Sequence, residues 1–485
     1  MKIVQVVDSY NNGNGVGNCL QSIADALDKL EIENVVWTRR TDRQNMDGRV
    51  HIFRKADEIS LEERDIIFYH FCLGMRLNYE IQKLPCKKVL IYQNVTPPHF
   101  FYDISLAKFK ECLWGYYDAK RTAAYYSKCI VPSEFSKRDL AEMGWKPENI
   151  EVIPLITLQK NTPKTTETLI KRYRDGYVNF IFTGRIVPNK KIEDIIRIFG
   201  FYQKNINRRS RLFLAGAVSY QNYYLALWEY IKALQLEDVI FTGKISQEDL
   251  EAYYVLADIY LCMSEHEGFC LPLIEAMQRE IPVVAYAKTA VPDTMGEAGV
   301  LVETKDARTV CEQIKRIIED SDFRKKIIAG QKERVNVFNL DRYKDQMYRL
   351  IQDVNGEDNG LDERDEKGLH IEDEVTCRIR EAIDRILIQE GQRMCIIYGM
   401  GESGKELFDR LDECELKIVC CDNRLAGIQY MGQAILSHEE CVATYPQGIY
   451  IITVQNSPIA IAARLLQDGV KEKQIRFYNN IDIVN

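Results

Sequence analysis

This chain of 485 residues contains no run of about 18 apolar residues, so no segment reads as a bilayer-spanning helix. Its opening Met1-Lys-Ile-Val-Gln-Val-Val7 is short and is interrupted by Asp8, which excludes a signal-peptide reading. Long basic runs are also missing. Lys and Arg number 64 against 72 Asp and Glu, and the resulting net charge of −8 argues against nucleic acid as a partner. The 14 cysteines form no C-x-x-C pair, and the 6 histidines show no zinc-ligand spacing, so no metal site is expected. Cys262, Cys395, Cys420 and Cys421 fall inside apolar, strand-like runs and read as reduced, buried thiols of a cytoplasmic protein. The D-x-D triplet Asp320-Ser-Asp322 separates two helical stretches and suits a helix N-cap better than a metal.

The residues present describe a globular α/β protein, 46% hydrophobic and 28% charged, too long for one core and organised as two or three domains. Strand-like runs alternate with helical segments, which predicts parallel sheets covered by helices. In residues 1–160, strands are expected at Ile3–Val7, Asn34–Thr38, Asp65–His70, Lys88–Gln93 and Ser127–Pro132, with a helix over Cys19–Leu30. Residues 161–353 carry expected strands at Val178–Thr183, Arg211–Ala215, Val239–Thr242, Ile259–Met263 and Pro282–Ala285, closed by a helix over Leu340–Asp353. Residues 354–392 read as a solvated acidic linker followed by an amphipathic helix over 371–389. A third unit, 393–485, has strands at Met394–Tyr398, Lys417–Cys421 and Gly448–Thr453.

Glu267 and Glu275 lie in Ser264-Glu-His-Glu-Gly-Phe-Cys-Leu-Pro-Leu-Ile-Glu-Ala-Met277. Pro272 suits a first helical turn, which leaves the backbone around Gly268, Phe269, Cys270 and Leu271 with outward N–H groups. Such an end attracts anions, phosphate above all. Acidic residues near a helix start are also favoured on electrostatic grounds alone. Upstream, Phe182-Thr-Gly184-Arg185-Ile-Val-Pro-Asn-Lys190 places a guanidinium and an ammonium in one loop after a strand, a pattern that can grip phosphate oxygens. Gly15 and Gly17 follow the first strand; they suit either close backbone approach to a phosphate or an ordinary strand-to-helix turn.

These two segments, in this order, resemble the Gly-Arg…Lys and E-x7-E signatures of retaining glycosyltransferases of family 4, over about residues 1 to 350. The resemblance implies the GT-B fold, two Rossmann-like doubly wound domains facing a cleft, here with a third small Rossmann-like domain appended. It implies a UDP- or GDP-linked sugar as donor, with no cofactor or metal required. Arg185 and Lys190 would bind the donor diphosphate, Glu267 the sugar hydroxyls and Glu275 the ribose. Gly15 and Gly17 would face the phosphates from the first domain. Many family members carry a His at the end of a first-domain strand; here that place holds Gln93, and His70 is a neighbouring candidate for donor-sugar or acceptor contact or for a structural role.

The expected activity is hexose transfer to a glycan or lipid-linked acceptor in surface polysaccharide biosynthesis. The alternative is a catalytically silent GT-B partner of another transferase. Residues 106–138 interleave seven Lys and Arg with aromatic side chains, which suits either a solvated helix face or peripheral contact with anionic lipid at the inner membrane face. In the third unit, Gly399-Met-Gly401-Glu-Ser-Gly404 follows a strand, and Asp422 follows the next one. That context fits nucleotide binding or an interaction module.

Overall fold

A computed structural model describes residues 1–11, 15–41, 48–156, 166–356, 394–401, 403–405, 407–408, 417–454, 458–471 and 474–477. They divide into two compact units, Met1–Gly360 and Leu361–Asn485. The first unit holds two parallel sheets. One comprises β1 (Ile3–Tyr10), β2 (Asn34–Thr41), β3 (Val50–Ile52), β4 (Ile66–Phe71), β5 (Lys87–Tyr92), β6 (Lys128–Val131) and β7 (Ile150–Val152), in the order β3-β2-β1-β4-β5-β6-β7. The other comprises β8 (Val178–Thr183), β9 (Ser210–Ala215), β10 (Val239–Gly243), β11 (Ile259–Cys262), β12 (Val283–Tyr286) and β13 (Val300–Val302), in the order β10-β9-β8-β11-β12-β13. Central strands such as β4 and β9 are buried along their whole length, as β-branched and aromatic runs covered by helices on both faces must be.

Each sheet reverses its winding at one place, between β1 and β4 in the first and between β8 and β11 in the second. The loops leaving the carboxyl ends of such neighbouring strands diverge and open a crevice, where ligands bind in this class of sheet. Every strand expected from the sequence is present. The additional β3, β7 and β13 each have three residues, too few for a period-two pattern to register.

The expected closing helix runs Leu340–Gly356, so Val354–Gly356 are helical rather than linker. Tyr343, Met347, Leu350, Ile351 and Val354 join a buried cluster that contains Ile23 and Leu27 from the helix Gly15–Lys29 and Tyr260 from β11. Lys87 Nζ donates to the carbonyls of Val354 (3.0 Å) and Asn355 (3.1 Å), and Gln346 Nε2 donates to the carbonyl of Val152 (3.3 Å). The last helix of the second domain thus braces the first. The rest of the expected linker, with its 371–389 helix, lies outside the described residues.

The second unit has its own sheet: β14 (Cys395–Tyr398), β15 (Ile418–Cys421), β16 (Gln429–Tyr430), β17 (Gln433–Leu436), β18 (Ile449–Ile452) and β19 (Ile475–Phe477). Its order is β16-β17-β15-β14-β18-β19, parallel except for the β16–β17 hairpin. Winding reverses between β14 and β18, directly beyond Tyr398 and Ile452.

A chain ending at Gly360 is expected to unfold cooperatively on its own, because the brace helix closes the first unit before that point. In that shortened chain Met347→Ala removes a fully buried side chain from the shared cluster, and urea titration should show a loss of about 2–5 kcal/mol. Precipitation of the shortened chain, or an unchanged midpoint for Met347→Ala, would contradict this account of the brace.

Candidate functional site

Adjacent strands β8 and β11 pair in register, Ile259 with Phe180 and Tyr260 with Ile181, so their carboxyl-terminal loops emerge side by side. The first loop is Gly184–Lys191 and the second Ser264–Cys270. They are knitted together: Glu265 N donates to Asn189 O (2.9 Å), and Asn189 Nδ2 donates to His266 O (3.0 Å). Lys190 Nζ, in the turn Pro188–Lys190, donates to Glu267 Oε2 at 2.6 Å. Burial pushes the Lys190 ammonium down, but the charge and hydrogen bond of Glu267 outweigh it and hold it above its ordinary value. Glu267 N donates to Thr289 Oγ1 (3.0 Å), fixing the residue from a third segment. Lys305 Nζ bridges Asp194 and Glu265 at 2.8 Å each, closing the outer side of the loop pair.

The helix Leu271–Gln278 has Pro272 in its first turn and starts from Cys270, held in the left-handed region at φ 71°. The two peptides before it are oriented by their carbonyls. Gly268 O accepts from Ser133 Oγ (2.8 Å) and Ser136 Oγ (3.3 Å), both at the start of the first-domain helix Glu134–Glu142. Phe269 O accepts from Thr294 Oγ1. In a trans peptide the next N–H points opposite the carbonyl, so the N–H groups of Phe269 and Cys270 are aimed away from these anchors. Among the described residues no hydrogen bond engages the N–H of Gly268, Phe269, Cys270 or Leu271. Arg185 is exposed and has no hydrogen bond or ion pair there either. Four N–H groups without partners among the described residues, with Lys190 and the exposed Arg185 on the neighbouring loop, can serve as an anion cradle.

Gly268 is required for a packing reason. A Cβ there would come within 2.6 Å of Asn94 Cβ, so the second-domain loop rests directly on the first-domain loop after β5. Asp293 adds a further tie across the domains, accepting from Phe135 N at 2.6 Å.

Glu275 sits one turn inside the helix, half-buried, with Oε2 accepting from Tyr254 OH (2.9 Å). Tyr254 OH also meets Thr183 Oγ1 at 2.9 Å, and Thr183 ends β8 immediately before Gly184. Burial raises the Glu275 carboxyl above its ordinary value, while the Tyr254 hydrogen bond pulls it back. Nothing in the sequence marks Tyr254, Thr289, Ser133 or Ser136. They are polar residues on ordinary helices and loops, and only the strand order brings them here.

The first-domain candidates divide. Gly15 and Gly17 belong to the first turn of the helix Gly15–Lys29, with open space where a Cβ would stand at Gly15. Residues 12–14 of that loop lie outside the described residues. His70, at the end of β4, is 2% exposed. Its Nε2 lies 3.1 Å from Gln5 Oε1, and its Nδ1 lies 3.2 Å from Gln93 Nε2. Since Nε2 of Gln93 can only donate, His70 accepts at Nδ1 and carries its proton on Nε2. Desolvation pushes its titration down to about 3, so it is neutral and serves the core. Gln93 is half-buried and holds that ring in place.

The D-x-D acts as expected: Asp320 accepts from Asp322 N (3.1 Å) and Phe323 N (2.9 Å), capping the helix Ser321–Val335. All described cysteines are free, and all but Cys72 are buried. In the second unit, Gly401 faces open space, whereas a Cβ at Gly404 would collide with Gly399 O at 1.8 Å. Asp422 spends its carboxylate on Met400 N and Arg424 N, both at 2.9 Å, and so pins the glycine loop.

Residues 168–334 match the family model described as "Glycosyl transferases group 1". The chain is 23% identical over 201 residues to O-antigen chain mannosyltransferase B of Escherichia coli, covering 40% of this chain and 52% of that protein. It is 28% identical over 210 residues to the capsular polysaccharide biosynthesis glycosyltransferase CapM of Staphylococcus aureus, covering 42% and 53%. The chain thus spans about half the length of these curated relatives. Among solved structures, Anabaena Alr3699/HepE in complex with UDP and glucose superposes with a TM-score of 0.57 at 19% identity, over 73% of this chain and 100% of that one. Sucrose-phosphate synthase from Thermosynechococcus elongatus superposes at 0.59 with 18% identity, over 73% and 99%. The fold of the first unit is GT-B.

Removing the Tyr254 hydroxyl deletes the hydrogen bond that lowers the Glu275 carboxyl. In Tyr254→Phe the Glu275 carboxyl should therefore titrate at higher pH than in the parent, measurable by ¹³C NMR of the side chain. An unchanged or lowered titration would show that Tyr254 does not tune this group.

Proposed function

We propose that this chain is a retaining, family 4-like glycosyltransferase. It moves a hexose from a UDP- or GDP-linked donor to a glycan or lipid-linked acceptor in surface polysaccharide biosynthesis. The observation that carries this reading is the cradle at the β8/β11 reversal: four N–H groups free of partners among the described residues, on the loop next to Arg185 and the Lys190–Glu267 pair. Names of relatives that make O-antigen and capsule, and of a structural neighbour bound to UDP and glucose, support the donor and acceptor classes.

Breaking the anomeric C–O bond leaves negative charge on the nucleoside diphosphate and positive charge on the sugar ring. Arg185, Lys190 and the N–H groups of Gly268 to Leu271 bind the diphosphate and gain strength as its charge grows. Because the Gly268 and Phe269 carbonyls are already anchored, these donors need no reorganisation at the moment of reaction. Glu267 keeps Oε2 on Lys190 and offers its other oxygen to sugar hydroxyls. Glu275 keeps one oxygen on Tyr254 and offers the other to the ribose. Front-face displacement then requires no enzyme nucleophile, since a departing phosphate oxygen takes the acceptor's proton. Cationic side chains and N–H groups fill the role a divalent ion would have at the diphosphate, so no metal is required.

The acceptor side belongs to the first domain. The helix Leu106–Thr122 and its flanks expose Tyr102, Leu106, Tyr117 and Tyr125 among lysines and arginines. This surface suits peripheral contact at the inner face of the membrane, and the reading places the protein in the cytoplasm. The alternative, a catalytically silent GT-B partner, draws on Gln93 standing where a titratable His is common. Gln93 here supports the buried His70. The same reading assigns the glycine loop of the second unit to nucleotide binding through Gly399, Gly401 and Gly404, with Asp422 shaping the loop.

A panel of UDP- and GDP-sugars, with and without glycan acceptors, tests the reading through release of free nucleotide. Lys190→Ala and Glu275→Ala should each lower turnover roughly 10²–10³-fold, with circular dichroism confirming that both remain folded. Near-parental turnover at saturating donor in either variant would sink the assignment of these residues. Exhaustive EDTA treatment should not lower the rate; loss of activity restored by Mn²⁺ would refute the metal-free mechanism.

A further inference from the structure

Transfer from a nucleotide-sugar makes no use of a thiol, yet two buried thiols adjoin the carboxylate that contacts Lys190. The Sγ atoms of Cys262 and Cys270 and a carboxylate oxygen of Glu267 all lie within 4.8 Å of one another. Cys262 ends β11, and Cys270 precedes the helix Leu271–Gln278. The loop between them carries Glu267, so one short segment supplies all three candidate ligands. Tetrahedral zinc holds thiolates at about 2.3 Å and carboxylate oxygen at about 2.0–2.2 Å, which sets ligand atoms ~3.5–3.8 Å apart. The 4.8 Å bound on the triad exceeds that spacing by only about 1 Å.

Charge and softness select the occupant. Two thiolates and a carboxylate carry three negative charges, so a divalent ion leaves one, and the Lys190 ammonium, 2.6 Å from Glu267 Oε2, neutralises it. Sulfur ligands disfavour Mg²⁺, Ca²⁺ and Mn²⁺ and favour Zn²⁺ and its soft relatives. Cys262 is fully buried, while Cys270 and Glu267 keep 8% and 7% exposure, so their edge is the side an ion can enter.

We propose that Cys262, Cys270 and Glu267 form an inhibitory site for a thiophilic divalent cation of the Zn²⁺ class. Binding exchanges the two thiol protons for the ion, with no change of oxidation state. The inhibition rests on the donor reading above: an ion held by the Glu267 carboxylate draws that carboxylate away from the donor sugar, so it competes with the donor. Ion binding itself does not depend on that reading.

Co²⁺ titrated into the reduced full chain is the direct test. The parent should develop thiolate-to-cobalt charge-transfer absorption and the visible bands of a tetrahedral ion, displaced by Zn²⁺. Cys262→Ala should lose them, whereas Cys441→Ala, which alters a thiol in the other unit, should keep them. Zn²⁺ should also slow alkylation of Cys270, the thiol at the exposed edge, in the unaltered chain, mapped by mass spectrometry, which requires no variant to fold. Where transfer is measurable, Zn²⁺ should raise the apparent KM for donor, and Cys262→Ala should need at least tenfold more Zn²⁺ for the same effect. Absence of thiolate–cobalt absorption in the parent, or equal absorption and equal shielding with Cys262 removed, overturns the proposal. If the spectra appear but no sugar transfer is found, the ion site stands and the transferase reading falls.

Discussion

The ion pair between Lys190 and Glu267 is the interaction on which the rest of the site depends. It joins the loops that leave β8 and β11, the two strands between which the second sheet reverses direction. Both partners are largely withdrawn from water, where breaking a pair costs far more than an exposed one contributes. The pair therefore acts as a fixed point. Around it, Asn189, Thr289 and Lys305 hold the two loops in one arrangement, so Lys190 and Glu267 are fixed by the protein's own contacts.

A second constraint comes from the first domain. Ser133 and Ser136 anchor the Gly268 carbonyl, and the contact between Gly268 and Asn94 leaves no room for a side chain. The backbone of the proposed cradle is therefore anchored across the domain boundary, by hydroxyls bonded to its carbonyl side. This ties the direction of the Phe269 N–H to the packing of one domain on the other, while Thr294 sets that of Cys270 from within the second domain. The brace helix, with Met347 and Ile351 in a cluster common to both sheets, supports the same arrangement from the far side. Packing and site geometry are thus one problem in this unit.

The second unit repeats the same physical idea with different chemistry. Its sheet also reverses beside a glycine loop, and Gly404 is needed there because the helix start lies against the Gly399 carbonyl. Asp422 binds the loop backbone instead of standing free. The fingerprint of glycines and one acidic residue was legible in the sequence, but the work done by the acid was not.

Much of the fold could be read from the chain alone, because strands buried on both faces write themselves as apolar runs and helices start at recognisable caps such as Asp320. The two glutamates, Arg185 and Lys190 could be singled out for a similar reason: their spacing around Pro272 and after β8 reflects local backbone geometry. Edge strands such as β3 and β13 escaped notice because three residues carry no period. Tertiary structure alone decided which side chains serve those motifs. Tyr254 reaches Glu275 from another helix, Ser133 reaches Gly268 from another domain, and Cys262 meets Cys270 across a loop. The same is true of His70, for which the sequence leaves a contact role and a structural role open and which the fold buries between Gln5 and Gln93. Strand order and domain packing set these contacts, and neither leaves a local trace in the sequence.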